Sequence, residues 1–271
     1  MTIEHEMHAF YNEGKELIRL AKGIGPLELV RTQELIARFM PDTPATVYDI
    51  GGAHGIYSFW LAGLGYDVHL LDIMPLHIEH AQQIASNPTS PQLASMQVGD
   101  ARCLPFADQS ADVVVSHGPL YHLTESAERM ATLREAYRVL RPGGLLLAFT
   151  ISSYASTIVG ITRGWVMDSD YLGMCEGEIG TGDHRRPESW PSLFSTGYFH
   201  HPLQAIAELE QGGFACEGVY GVEGPGWIVP DFGASWQDAN HREVILRIAR
   251  LMENEPVLSP HDMAVARRQD G

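Results

Sequence analysis

The chain has 271 residues, 45% of them apolar, and a formal net charge of −16. That balance suits a soluble globular fold and argues against a nucleic-acid partner, whose affinity comes largely from Lys and Arg; a small molecule, with the acidity favouring a cationic one, is expected instead. No apolar run reaches the roughly 18 residues of a membrane helix, the charged start "MTIEHEMH" carries no secretion signal, and Cys103, Cys175 and Cys216 are scattered, so a cytoplasmic protein with reduced thiols and no metal is expected.

Two helical stretches, 12–22 and 27–39, open the chain and are split by "GIGP". Strands and helices then alternate. "TVYDI" (46–50) reads as a strand, 56–65 as a helix, "DVHLLD" (67–72) as a strand and 76–86 as a helix. Strands follow at 93–98 and 111–117, then a strong amphipathic helix at 125–140, a turn at "RPGG" and a fifth strand at 145–151. Residues 152–200 show weak periodicity and read as an irregular insertion. A helix at 202–213, a strand at 214–222, a helix at 239–254 and a last strand at 261–268 complete the pattern.

Strands apolar on both faces and alternating with helices predict a doubly wound, mostly parallel α/β sheet of Rossmann-like type. A single domain is expected: N-terminal helices over 1–44, a core over 45–151, a lid insertion over 152–201 and the rest of the sheet domain over 202–271.

The loop "DIGGAHG" (49–55) follows the first strand, where an open α/β sheet binds its ligand. A phosphate-binding loop needs Lys and then Ser or Thr after its glycines, but Ile56 and Tyr57 stand there. The dinucleotide pattern G-x-G-x-x-G is also missed. Asp49 would repel a pyrophosphate and would welcome a ligand bearing an ammonium and a sulfonium.

Asp49-Ile-Gly51-Gly52-Ala53-His-Gly55 resembles the acidic glycine-rich motif of class I S-adenosylmethionine-dependent methyltransferases, with Ala53 where glycine is usual. Asp72 ends the second strand, "GDARCLPF" follows the third, "ADVVVSHGPLYHL" spans the fourth and its loop, and "AYRVLRPGGLLLAFT" precedes and enters the fifth, in the family's order. The resemblance implies a seven-stranded sheet with one antiparallel strand at 261–268. It also implies S-adenosylmethionine as cofactor and S-adenosylhomocysteine as product. Asp72 would accept from the ribose hydroxyls with Ile73 beside it, Asp100 would meet the adenine amino group and Ala101 the ring edge. Arg102, Ser116 and His117 join the implied cofactor wall, and Tyr11 of "FYNEG" would fold over it. "GPLYHL" with "GVEGPGW" further resembles a group of bacterial small-molecule methyltransferases.

His117, Tyr121 and, in the insertion, His200 are the candidate catalytic groups. Tyr121, His184, Tyr198 and His201 are candidates for the acceptor pocket, and Glu223 with Trp227 could wall a cationic or planar acceptor. His77 and His80 read as a solvated helix face, and solvent is an even choice for His54. Trp60, Trp190 and Trp236 read as packing. Methyl transfer to oxygen or nitrogen of a small acceptor is the leading reading. A nicotinamide-dependent oxidoreductase and a non-catalytic S-adenosylmethionine-binding protein are the alternatives. A homodimer through 239–254 is left open, and no membrane partner is expected.

Overall fold

The computed structural model describes residues 16–269. Tyr11 lies outside them. The described elements in chain order begin with α1 (Glu16–Arg19) and α2 (Gly25–Phe39), followed by β1 (Thr46–Ile50), α3 (Ile56–Gly63), β2 (Asp67–Asp72), α4 (Pro75–Ala85) and β3 (Ser95–Val98). Next come β4 (Ala111–Ser116), α5 (Pro119–His122), α6 (Ser126–Val139) and β5 (Leu140–Ile151). The insertion supplies α7 (Ala155–Arg163), α8 (Ser169–Thr181), β6 (Asp183–Arg185) and β7 (Thr196–Tyr198). Finally come α9 (Pro202–Gln211), β8 (Phe214–Gly221), α10 (Phe232–Gln237), α11 (Ala239–Leu251) and β9 (His261–Arg268).

Seven strands form one mostly parallel sheet in the order β3-β2-β1-β4-β5-β9-β8, with one antiparallel edge. β1 pairs in parallel with β2 on one side and with β4 on the other, so strand order reverses beside β1. Val47 and Ile50 of β1, Val113 to Val115 of β4 and Leu145 to Phe149 of β5 are all buried, which is why these strands read as unbroken apolar runs. Each of the Val, Leu, Ile and Phe side chains contributes about 1.5–3 kcal/mol on leaving water. "RPGG" is not a turn between elements. Leu140 pairs with Ala111 and Leu145 with Val113, so the extra residues bulge out of β5 without ending it.

The contacts divide the chain into two compact units. One holds Phe39–Phe149, Ile206–Gly218 and the described residues from Ala264 on, and contains most of the sheet. Its α3 and α4 pack through Phe59, Leu70, Ile78 and Ala81. The other holds the described residues up to Arg38, Thr150–Ala205 and Val219–Met263. Its main cluster joins Leu27, Trp227, Trp236, Ile245, Leu246 and Ala249.

The insertion is not irregular, because α7 and α8 occupy much of it. Asp168 caps α8 by accepting from the backbone N–H groups of Asp170 and Tyr171. Tyr171, Met174 and Cys175 give that helix a buried stripe at helical spacing. Gly173, Gly177 and Gly180 dilute the stripe in the sequence.

Candidate functional site

The candidate cofactor residues gather within the sheet unit, at the carboxyl ends of β1 to β4. The loop after β1 turns through left-handed backbone at Gly51 (φ 76°), Ala53 (φ 50°) and Gly55 (φ 85°). Gly51 is required twice over, since a Cβ there would also lie 2.3 Å from the His117 carbonyl oxygen. Its N–H donates to Leu71 O at 2.7 Å, and the Gly55 N–H donates to Gly52 O at 2.9 Å. His54 is 8% exposed, so solvent is not its environment.

Asp49 lies beneath this loop and is fully buried. Its Oδ2 accepts from Ser58 Oγ at 2.5 Å, while Oδ1 has no partner among the described residues. Burial raises its pKa to about 7; the Ser58 hydrogen bond opposes the rise and the Asp72 charge adds to it. Ser116 ends β4 beside Ile50 in the register, and its buried Oγ is likewise unpartnered among the described residues.

Asp72, at the end of β2, is 5% exposed. Oδ2 accepts from the Ala53 N–H at 2.8 Å, and Oδ1 accepts from the Met74 N–H at 2.8 Å. The His77 Nδ1 also lies 3.0 Å from Oδ1. His77 is therefore buried beside the site rather than on a solvated face, while His80 is half-buried. An ionised carboxylate offers about four acceptor positions, so one more donor can be met directly here. A second further donor needs one of the present donors to move away. His122 lies near enough to feel Asp72 and His77. Burial lowers its pKa to about 4, a fall that the Asp72 charge only partly opposes, so its imidazole is neutral.

Beyond β3, Asp100 accepts from the Arg102 N–H at 2.8 Å, and its two oxygens take the Arg102 guanidinium. Burial opposes its charge, but Arg102 outweighs burial and holds the carboxyl below its usual range. Arg102 also donates to Glu128. Arg102 thus fixes this loop, with Ala101 half-buried inside it. Ile73 is half-buried after β2. His117, after β4, is sandwiched between Phe149 (centroids 3.9 Å) and Tyr57 (5.1 Å), and its N–H donates to Ile50 O. Tyr121 is half-buried in α5, tilted against His122.

The remaining candidates belong to the other unit, and several do not fit the expected role. His200 is fully buried; its N–H donates to Ile151 O, its carbonyl accepts from Ser153, and its ring stands edge-on to Tyr198. It packs and sets register there instead of meeting an incoming acceptor. His201 Nδ1 accepts from the Leu203 N–H at the start of α9. Tyr198 is half-buried, 4.7 Å from His200 between ring centroids. His184 is 2% exposed and stacks on Phe199 at 4.3 Å. Its Nδ1 lies 2.6 Å from Glu178 Oε1 and its Nε2 2.8 Å from Phe194 O.

Trp227 is 7% exposed inside a core cluster, so it walls no open pocket. Trp236 shares that cluster and Trp190 packs beside Tyr171, both as packing residues, while Trp60 is half-buried. Glu223 is fully buried. Its Oε2 accepts from Ser259 Oγ and the His261 N–H, and its Oε1 meets His261 Nδ1 at 2.5 Å. It therefore acts on His261 and presents no carboxylate to a cationic acceptor. Ser58 and His261 carry no motif signal in the sequence, because only the fold brings them to their carboxylates.

Residues 48–148 match the family model described as "Methyltransferase domain". Over this segment the chain resembles a methyltransferase domain. The chain is 32% identical over 124 residues to the biotin biosynthesis bifunctional protein BioHC of Cellvibrio japonicus, across 46% of this chain and 23% of that protein. It is 31% identical over 115 residues to the ubiquinone/menaquinone biosynthesis C-methyltransferase UbiE of Nitrobacter hamburgensis, across 41% of this chain and 44% of that one. The chain thus spans less than half the length of either relative. An S-adenosylmethionine-dependent methyltransferase from Methanosarcina mazei shares the fold, with a TM-score of 0.62 and 18% identity over 88% of this chain and 98% of that one. Among the described residues, no helix is long and apolar enough to cross a membrane.

Proposed function

We propose that the methyltransferase domain binds S-adenosylmethionine at the carboxyl ends of β1 to β4 and transfers its methyl group to oxygen or nitrogen of a small molecule. The observation that carries this reading is the pair of unpartnered buried atoms, Asp49 Oδ1 and Ser116 Oγ, on neighbouring strands at the point where strand order reverses. A buried carboxylate oxygen without a donor is costly, and a ligand ammonium is the group that relieves it. A pyrophosphate in the same place would add a second anion.

The residues then divide the work. Asp49 takes the ammonium, Asp72 a ribose hydroxyl, and Asp100 with Ala101 the adenine edge. When bound, the cofactor supplies an electrophilic methyl on a sulfonium, so the protein's task is positioning more than activation. His117 and Tyr121 are the acceptor-side groups of this unit. His117 is locked between two aromatic rings, which suits it to orienting a partner.

Calorimetric titration with S-adenosylmethionine, S-adenosylhomocysteine and NAD in parallel tests the reading. Binding of the first two without NAD, with transfer of labelled methyl in an acceptor screen, is expected. NAD binding alone would favour an oxidoreductase. Cofactor binding with no transfer to any acceptor would favour a non-catalytic binding protein.

A further inference from the structure

The unit that contains the insertion holds a cavity of about 190 Å³ of its own. Trp165, Tyr171, Phe194 and Phe199 supply its aromatic walls. Trp165 and Tyr171 meet edge to face at 5.7 Å, and Phe199 is stacked on His184, so the walls are held in place by one another. An apolar cavity of about 150 Å³ takes up benzene, so this one has room for a single substituted ring.

The hydroxyls and imidazoles that line the cavity are not equivalent. Ser156 donates to Glu178, Tyr171 donates to Ser156 O, and both His184 nitrogens face acceptors. His261 differs. Glu223 occupies its Nδ1, and its Nε2 makes no hydrogen bond among the described residues. The charged groups around it among the described residues include Glu223, Glu28 at 3.9 Å and, paired to Glu28 at 2.6 Å, Arg19. Burial alone would lower the imidazole's pKa, but Glu223 and then Glu28 outweigh it and raise it to about 9. Among the described residues, two carboxylates thus face one imidazolium and one guanidinium. Glu28, Glu223 and His261 come close enough to hold a cation, but the guanidinium already on Glu28 opposes one.

We infer that this cavity is a binding site for a single-ring aromatic anion, with the ring between the four aromatic walls and its anionic oxygen on the His261 Nε2–H. The site stands independently of the methyl-transfer reading, because neither its residues nor its test involves the cofactor.

The test compares benzoate, benzyl alcohol and benzylamine by calorimetry and ligand-observed NMR on the full chain at pH 7. Benzoate is expected to bind with a sub-millimolar Kd, and benzylamine at least about tenfold more weakly, as a charge-assisted hydrogen bond implies. His261→Gln should weaken benzoate by about tenfold or more and leave benzyl alcohol little changed. Ala155→Leu, which fills the cavity from its wall, should abolish binding of both in a chain whose charge network is intact. Benzoate affinity in the parent chain should fall as pH rises past about 9. Equal binding of benzoate and benzylamine, benzoate binding untouched by either substitution, or no binding of any probe would overturn the assignment.

Discussion

Ala53 donates its backbone N–H to Asp72 Oδ2 over 2.8 Å, so the acid that ends β2 also holds the loop that follows β1. Asp72 therefore has a structural duty before any ligand arrives. Asp72→Asn leaves fewer acceptor positions for the Ala53 and Met74 N–H groups and for His77. A buried donor left unpaired costs about 1–3 kcal/mol. The cofactor-free Asp72→Asn protein should melt earlier, by roughly 2–4 °C for each kcal/mol lost. An unchanged Tm with weakened cofactor binding would show that the carboxylate serves the ligand alone.

The same loop makes Ala53→Gly informative. Alanine at φ 50° is held in left-handed backbone, which costs about 1–2 kcal/mol relative to its preferred regions. Glycine removes that strain and gives back part of the gain as greater freedom in the unfolded chain. A net stabilisation of about 1 kcal/mol is expected, read as a higher Tm of the cofactor-free protein. A lower Tm would mean that the methyl group makes contacts worth more than the strain.

Asp49 has the opposite sign from most carboxylates. Its folded pKa, about 7, lies above the ordinary 3.8, so the folded state binds the proton more tightly. Its contribution is favourable at low pH and is lost as pH rises from about 4 to 7. Asp49→Asn should therefore stabilise the cofactor-free protein at pH 8 by a few kcal/mol at most, with little change near pH 4. Cofactor affinity should fall about tenfold or more in the same variant. Melting curves at the two pH values separate this from a general packing effect, which would move both alike.

The parts of this fold legible in the sequence were those set by local pattern. The strand at 46–50, its glycine loop and the acid at 72 need only adjacency, strand periodicity and turn chemistry to be placed. Burial and pairing across the chain were not legible. His77 sits on a helix whose sequence looks polar, and the fold buries it against Asp72. Glu223 and His261 are 38 residues apart and meet through the fold alone. In α8 a real stripe was hidden by its glycines, and packing of Tyr171, Met174 and Cys175 supplied the stability that propensity lacked.

His261 provides a second pH signature, distinct from that of Asp49. Its folded pKa of about 9 exceeds the ordinary 6.5, so the imidazolium is favoured in the folded state. That stabilisation is fully present below about pH 6.5 and disappears as pH climbs through 9. His261→Gln should lose stability at pH 6 and should show a flatter decline of Tm between pH 6.5 and 9 than the parent chain. Glu223→Gln should produce part of the same flattening, because the larger of the two carboxylate effects on the imidazole is gone while Glu28 remains. Asp262, adjacent in β9 and fully buried, is also pushed above its usual range, by burial and then by Glu223. Its contribution is lost as pH rises above the ordinary carboxylate range, a slope that Asp262→Asn removes and that His261→Gln does not. A parent chain whose Tm is level from pH 6.5 to 9 would mean that His261 is neutral in the fold, and the charge network around Glu28 and Glu223 would have to be redrawn.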